Sequence, residues 1–129
     1  MTPQEIFERH IWTGMTGNAE MRANLYAQDG VYEAPLAPEN GTVPRRLEGR
    51  DALRAGFTEM HRLAQSDPRK ADMPNSHLVL HTTSDPDVFI AELDAAFENA
   101  ATMSLLQIYR LHNGEIVLMR DYFDPNTFN

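Results

Sequence analysis

Cysteine is absent from all 129 residues. Disulfide bonds and thiolate metal sites are therefore excluded, and the absence is typical of a cytoplasmic protein. Positive charge is also scarce, because 11 lysines and arginines stand against 19 aspartates and glutamates, for a formal net charge of −8. This balance argues against nucleic acid as a partner, since phosphate binding needs a basic surface.

Long apolar runs are missing as well. No run approaches the roughly 18 residues that a membrane-spanning helix needs. The N-terminal segment MTPQEIFERH has no basic stretch followed by an apolar one, so no signal peptide and no membrane association are expected. No glycine-rich phosphate-binding loop occurs, so no organic cofactor is implied. The length and composition predict a single domain, residues 1–129, with one hydrophobic core.

The first half of the chain predicts three helices. Thr2 and Pro3 are typical of a helix start, Asn18 is placed to cap a second helix, and Asp51 a third. A short strand is expected at 31–34, and the prolines and glycines in 36–49 predict a loop. The apolar positions at roughly helical spacing are Ile6, Ile11, Trp12, Met15, Met21, Leu25, Tyr26, Leu53, Phe57, Met60 and Ala64.

The second half changes to a period of two. It predicts strands at 77–81, 88–97, 103–111 and 115–123, with a hairpin turn at Asn113-Gly114. Helices followed by an antiparallel meander indicate the α+β class. A curved antiparallel sheet with helices on one face can leave a hollow, which is the default site for a small ligand.

Carboxylates interrupt two of these strands. Alternation places Glu92 and Asp94 on one face of their strand, and Asp121 on a face with Met119 and Phe123. If both faces line the hollow, the three acids converge. Full burial would raise their pKa values by as much as about 3–5 units, which permits proton transfer near neutral pH. A solvated sheet face explains Glu92 and Asp94 equally well.

Three segments, DALRAGFTEMHRL, DPDVFIAELDAAF and LHNGEIVLMRDYFDP, resemble the SnoaL-like branch of the nuclear-transport-factor-2-like superfamily. The final Arg-Asp-Tyr-Phe-Asp is similar to limonene-epoxide-hydrolase-type proteins, and the Asp-Pro and the hairpin are similar to phenazine-biosynthesis A/B-type proteins. The resemblance implies a cystatin-like α+β barrel, in which three N-terminal helices and a cone-shaped curved antiparallel sheet enclose a pocket, usually as a homodimer. It implies little about the substrate, because this fold hosts unrelated chemistries.

The resemblance implies roles for four residues. Asp121 occupies the place of the base that activates water in the epoxide-hydrolase-type proteins, and Asp94 matches their second aspartate. Glu92 stands where their bridging arginine should be, and Ala34 replaces the asparagine that holds the water with the tyrosine matched by Tyr32. These departures argue against epoxide hydrolysis. They leave the four as candidate catalytic residues, with Tyr32 able to donate to a developing oxyanion.

Other side chains are candidates either to line the hollow or to fill the core. His61 and His77 are read as proton carriers or as surface histidines, and Gln107 is placed to orient a ligand carbonyl. His77 or His81 with the acids of 88–97 would suit a metal, but no spacing is diagnostic and no metal site is predicted. The candidate substrate-binding residues are Trp12, Met15, Phe57, Met60, His61, His77, Met103, Leu105, Gln107 and Phe123.

The outer face of the sheet carries its own prediction. An open apolar face of this extent is not expected to stay in contact with water, so the chain is predicted to form a two-fold homodimer, sheet on sheet. The side chains assigned to that face by alternation are Phe89, Leu93, Leu106, Ile108, Leu118 and Tyr122.

Three functional hypotheses follow. The first is a cofactor-independent enzyme in which Asp121 moves a proton on an apolar cyclic or polyketide-like substrate, by isomerisation, cyclisation or dehydration, with Asp94 or Glu92 tuning it. The second is a non-catalytic module that binds a small molecule in the same hollow. The third is an epoxide hydrolase with an altered set of acids.

Overall fold

The four strands of the meander follow the three helices along the chain, as the change of period predicts, and two further strands lie between the second and third helices. The computed structural model describes residues 1–127. The elements are α1 (Pro3–Met15), α2 (Ala19–Asn24), β1 (Tyr26–Glu33), β2 (Arg46–Glu48), α3 (Arg50–Gln65), a short 3-10 turn (Met73–Asn75), β3 (His77–Thr82), β4 (Val88–Ala95), β5 (Met103–His112) and β6 (Glu115–Phe123).

The six strands form one curved, unclosed sheet in the order β2-β1-β6-β5-β4-β3. β3 to β6 are the expected antiparallel meander. β1 lies parallel to β6, so the sheet is mixed rather than antiparallel throughout. A parallel neighbour requires a crossover connection, and α3 lies in that connection and packs on β1. The α+β class and the helices on one face of a curved sheet are confirmed.

The helix starts follow local capping chemistry. The Thr2 side chain accepts a hydrogen bond from the backbone N–H of Glu5, and the Asn18 side chain accepts one from Met21. Gly49 precedes the first residue of α3, so the assignment of Asp51 as its cap is wrong by two positions. Within residues 1–127 no helix is long and apolar enough to cross a membrane.

The buried face of α1 differs from the expected one. Ile6, His10 and Thr13 are buried and recur at helical spacing. Trp12 and Met15 are 55% and 60% exposed, so their assignment to an inner surface is wrong. The buried face of α1 is centred on His10. Each residue turns the helix by about 100°, so Trp12, two residues later, points away from the sheet.

The register of the sheet decides which acids face inward. Gln107 on β5 is the direct partner of both Ala91 on β4 and Asp121 on β6. Direct partners point to the same face of a sheet. Gln107, Ala91 and Asp121 are all buried beneath the helices. Glu92 and Asp94 follow Ala91 by one and three positions, so they point to the opposite, convex face. Both side chains are exposed there.

Two predictions are therefore wrong. Glu92 and Asp94 do not share a face with Asp121, and Phe89 and Leu93 do not belong to the convex face. Phe89 is 1% exposed and stacks on Tyr109 at 4.6 Å between ring centroids. The physical reason is that β4 turns its wholly apolar face, with Phe89, Ala91 and Leu93, to the core and leaves the face with Glu92 and Asp94 to solvent.

The core is built around Phe57, which has no exposed surface. Its ring lies 5.7 Å from that of Tyr26 and 5.8 Å from that of Tyr32, measured between centroids. The hydroxyl groups of such tyrosines need hydrogen-bond partners when buried. The core that covers the concave face is therefore partly polar, and it is here that the inward acid lies.

Gly30 lies where the pairing of β1 with β6 is irregular, between Tyr26 and Val31. A Cβ atom at this position would lie 2.9 Å from the carbonyl oxygens of Ala27 and Ile116. We expect Gly30→Ala to lower the free energy of unfolding by about 1–3 kcal/mol, since backbone atoms cannot move aside. Gly41→Ala is the control, because its Cβ would meet Pro38 at 3.4 Å, which is tolerable. Denaturant unfolding of both variants measures the difference, and equal stabilities would contradict it.

The homodimer remains a prediction, now based on Leu106, Ile108, Leu118 and Tyr122, which do lie on the convex face. We propose that Leu106→Glu, at a side chain that is 39% exposed, dissociates the dimer by placing a charge in the interface. Leu78→Glu is the matched control, because Leu78 is exposed on the other face. Sedimentation velocity reports the mass, and a monomeric native protein would contradict the proposal.

Candidate active site

Asp121 on β6 is the inward-facing acid of the sheet. Its carboxylate is only 9% exposed. Tyr32 on β1 donates a hydrogen bond from its hydroxyl to Oδ2 at 3.0 Å, and Gln107 on β5 donates from Nε2 to Oδ1 at 3.3 Å. The two strands that flank β6 therefore each supply one neutral donor, which is why the site needs the parallel β1–β6 pair.

Burial controls the ionisation of this group. Removal from water raises the pKa of Asp121 above its usual value, and the hydrogen bonds from Tyr32 and Gln107 and the charge of Arg22 lower it in part. Burial also raises the pKa of the Tyr32 hydroxyl, and the neighbouring carboxylate adds to that effect. Tyr32 consequently keeps its proton and donates it, while Asp121 is the group that can exchange one.

A chain of buried polar groups continues from Asp121 across the core. The Tyr109 hydroxyl lies 2.8 Å from Gln107 Oε1 and 3.0 Å from His10 Nδ1. His10 Nε2 lies 2.9 Å from the Tyr26 hydroxyl. His10 is 1% exposed, and burial and the Arg22 charge hold its pKa well below the usual range. The chain therefore runs through a neutral histidine.

Arg22 on α2 sets the direction of this chain. Its Nε lies 3.4 Å from His10 Nε2, and a guanidinium can only donate. His10 Nε2 must then accept, so Nδ1 carries the proton and donates to Tyr109. Tyr109 in turn donates to Gln107, whose amide donates to Asp121. In each of these hydrogen bonds the donor is the residue further from Asp121 and the acceptor is the residue nearer to it. The series therefore ends with a donor to the carboxylate, which suits the ionised form of Asp121.

A cavity of about 790 Å³ opens beside this network. Arg22 and His61 line it, and the same Arg22 charge acts on the pKa of Asp121. Asp121 itself is not among the lining residues. The other lining side chains include Val43, Met60, Leu63, Ala64, Asp67, Arg69 and Met103.

The structure separates the predicted site residues into three groups. Asp121, Tyr32 and Gln107 contact one another. Met60, His61 and Met103 line the cavity. The rest are elsewhere: Phe57, Leu105 and Phe123 pack in or against the core, and Trp12, Met15 and His77 are exposed.

The acids of β4 have surface partners of their own. Glu92 pairs with His81 at 2.8 Å, and Asp94 accepts a hydrogen bond from Ser104 at 2.7 Å, both on the convex face. In the part of the chain that the structure describes, no cluster of three or more histidines, aspartates and glutamates could hold a metal ion. Because Glu92 and Asp94 have these partners on the convex face, neither contacts Asp121.

Arg22, His10 and Tyr109 are members of the polar network around Asp121 that sequence reasoning missed. His10 had a signal, since it follows Ile6 at helical spacing on α1. Tyr109 also had one, because it alternates in phase with Gln107 on β5. Arg22 had none, because a charged residue on a six-residue helix reads as solvated surface.

Comparisons with known proteins place these features in a family. Residues 7–119 match the family model of the SnoaL-like domain. A search of curated protein sequences found no match. Among solved structures, a candidate isomerase from Bacillus subtilis is similar with a TM-score of 0.71 and 20% identity, covering 95% of this chain and 86% of that chain.

Two further structures are similar over nearly the whole chain. A computationally designed 17-OHP binder has a TM-score of 0.63 at 20% identity, covering 94% of this chain and 92% of its own. An LEH-like epoxide hydrolase of M. tuberculosis has a TM-score of 0.61 at 16% identity, covering 96% and 84%. At these identities the likeness shows the shared NTF2-like fold, and the chemistry must come from the site.

The raised pKa of Asp121 predicts a pH-dependent stability. Because the folded pKa exceeds the unfolded one, the native state loses stability as pH rises from the unfolded pKa through the folded pKa. Asp121→Asn lacks this titration, so its free energy of unfolding relative to the native protein should increase with pH in that window. Denaturant unfolding at a series of pH values measures it. The exposed Asp124→Asn is the control, and a difference independent of pH would contradict the prediction.

Proposed function

The chain belongs to the SnoaL-like domain family, and we propose that it is an enzyme that uses Asp121 for acid/base chemistry on a small apolar cyclic or polyketide-like substrate. The observation that carries the proposal is the buried carboxylate held by two neutral donors, Tyr32 and Gln107. A surface acid needs no such support, whereas a proton-transferring acid needs both a fixed position and a raised pKa.

The proposed step is a proton transfer at carbon. Ionised Asp121 removes a proton from a carbon next to a substrate carbonyl, and the electron pair moves onto the carbonyl oxygen to form an enolate. The protonated carboxyl then returns the proton to another carbon of the same conjugated system. The result is an isomerisation, with no change in the number of atoms or electrons. Cyclisation or dehydration would use the same first step.

Tyr32 has a different role in this proposal from the one that its residue type suggests. Its hydroxyl donates to Asp121 Oδ2, so it is not free to stabilise a substrate oxyanion at the same time. We assign it as a positioning residue that orients the carboxylate and limits the rise in its pKa. Glu92 and Asp94 have no part in the step, because they lie on the convex face.

The cavity supports substrate binding on the same side of the sheet. Met60 and Met103 supply flexible apolar surface that suits a ring system. Arg22 faces the cavity and acts electrostatically on Asp121, so a substrate against Arg22 lies near the carboxylate. Asp121 does not itself line the cavity, so the proposed contact requires a side-chain movement on substrate binding, which is common between a free enzyme and its substrate complex.

A second function is favoured by one observation. Asp121 does not line the cavity, so a ligand can occupy the cavity without touching the acid. In that case the chain is a non-catalytic binding module, and the polar network only fixes the core. The third hypothesis is epoxide hydrolysis. The M. tuberculosis epoxide hydrolase has a similar fold, but in this chain Asp94 is not a partner of Asp121.

Replacement of Asp121 by Asn separates these functions. We expect Asp121→Asn to lower turnover by about 10²–10⁴-fold, the usual contribution of a general base, with ligand affinity unchanged. The assays are deuterium exchange at acidic carbons of cyclic ketones, followed by NMR, and hydrolysis of cyclic epoxides in oxygen-18 water. Binding is measured by calorimetry on the same compounds.

Asp94→Asn is the matched control, because it makes the same substitution at a carboxyl group on the convex face, and its turnover should equal that of the native protein. Unchanged exchange in Asp121→Asn would remove Asp121 from the mechanism. Binding with no turnover by the native protein would favour the binding module, and labelled diol would favour the hydrolase.

A further inference from the structure

The cavity is lined by an arginine that has no direct ion pair. Arg22 and Arg69 both line it. Arg69 is paired with Asp67, whose carboxylate accepts from Arg69 Nε at 3.0 Å. Within residues 1–127, no carboxylate lies within ion-pair distance of Arg22, and its charge acts on the buried Asp121 from further away. Arg22 therefore places a positive charge without a direct counterion in the lining of the cavity, in a protein whose formal charge is −8.

The contacts of Arg22 hold its guanidinium without neutralising it. Nε donates to His10 Nε2 at 3.4 Å, Nη1 lies 3.1 Å from His61 Nε2, and the carbon of the guanidinium lies 4.2 Å from the centre of the Phe57 ring. These partners are neutral, because burial and the Arg22 charge lower the pKa of both histidines. The guanidinium carries five N–H groups, so three remain for a ligand.

Gly14, another lining residue, packs beside the guanidinium. A Cβ at that position would lie 3.4 Å from Arg22 Nη1 and 3.6 Å from the guanidinium carbon, so glycine leaves room for the charged group at the cavity wall. The lining also includes the apolar side chains of Val43, Met60 and Met103. The cavity thus combines one fixed cation with apolar surface.

We propose that the ligand of this cavity is an apolar ring compound that carries a carboxylate, and that Arg22 binds the carboxylate. A planar guanidinium with free N–H groups matches a carboxylate in a two-bond geometry, and the apolar wall receives the ring. The inference rests on the proposed function only in taking this cavity as the substrate site. It adds the charge of the substrate, and it assigns Arg22 as the residue that selects for it.

The test compares 2-naphthoate with the neutral 2-naphthamide, which has nearly the same shape, by titration calorimetry at neutral pH. We expect the native protein to bind the carboxylate at least about tenfold more tightly, as charge-assisted hydrogen bonds require. Arg22→Gln should lose this preference while keeping its affinity for the amide. Arg22→Lys should keep part of it, because lysine retains the charge but not the planar fork. Acetate at equal concentration should compete weakly, since it has no ring.

Arg62→Gln is the matched control, because Arg62 is an exposed arginine of α3 that pairs with Glu59 outside the cavity. It should bind both probes as the native protein does. Equal affinity of the native protein for the two probes, failure to bind either, or a preference retained in Arg22→Gln would overturn the inference. Circular dichroism confirms that each variant is folded, and the partial loss of preference in Arg22→Lys tests the assignment if Arg22→Gln does not fold.

The same titration in Asp121→Asn separates this inference from the proposed function. Carboxylate preference should persist in that variant, because Asp121 does not line the cavity. A protein that prefers the carboxylate but shows no turnover would refute the enzyme and retain the anion site. A protein that turns over neutral ketones without preferring the carboxylate would do the reverse.

Discussion

The structure depends on the cost of burying one carboxylate. Asp121 is placed in the core by its position on β6, and a buried charge is tolerated only when hydrogen bonds replace water. Tyr32 and Gln107 supply those bonds. Gln107 then has an oxygen to satisfy, which Tyr109 does, and Tyr109 is in turn satisfied by His10. The polar chain through the core is thus a consequence of the first buried acid.

The series of buried hydrogen bonds ends at Arg22, which also lines the cavity. Arg22 therefore contacts both the buried core and the cavity. Toward the core, the arginine can only donate, so it orients His10 and every bond between His10 and Asp121. Toward the cavity, its remaining N–H groups are open to a ligand. An anion bound there would reduce the positive charge acting on Asp121 and so raise the pKa of Asp121, which links ligand binding to proton transfer.

Local chemistry made much of the fold predictable. Thr2 and Asn18 cap helices because their side chains reach a free backbone N–H within one turn. The hairpin forms at Asn113 and Gly114 because both adopt positive φ, at 50° and 77°, which the turn requires. The site was less predictable. Asp121 and Tyr32 could be named from the resemblance and from the apolar neighbours of Asp121, whereas Arg22 had no local pattern to reveal it.

By itself, the sequence determined the order of the three helices and the four meander strands, the α+β class, the family and the inward aspartate, because each depends on neighbours along the chain. It did not reveal β2 (Arg46–Glu48), which lies in the segment 36–49 predicted as a loop. Only the tertiary structure decided which face of β4 lies in line with Asp121, since that depends on the register between strands, which alternation within a single strand does not set. That decision removed Glu92 and Asp94 from the site. It also brought Arg22 and His10 from separate helices to the same core as Asp121, because such contacts arise from packing between distant segments and have no counterpart in local spacing.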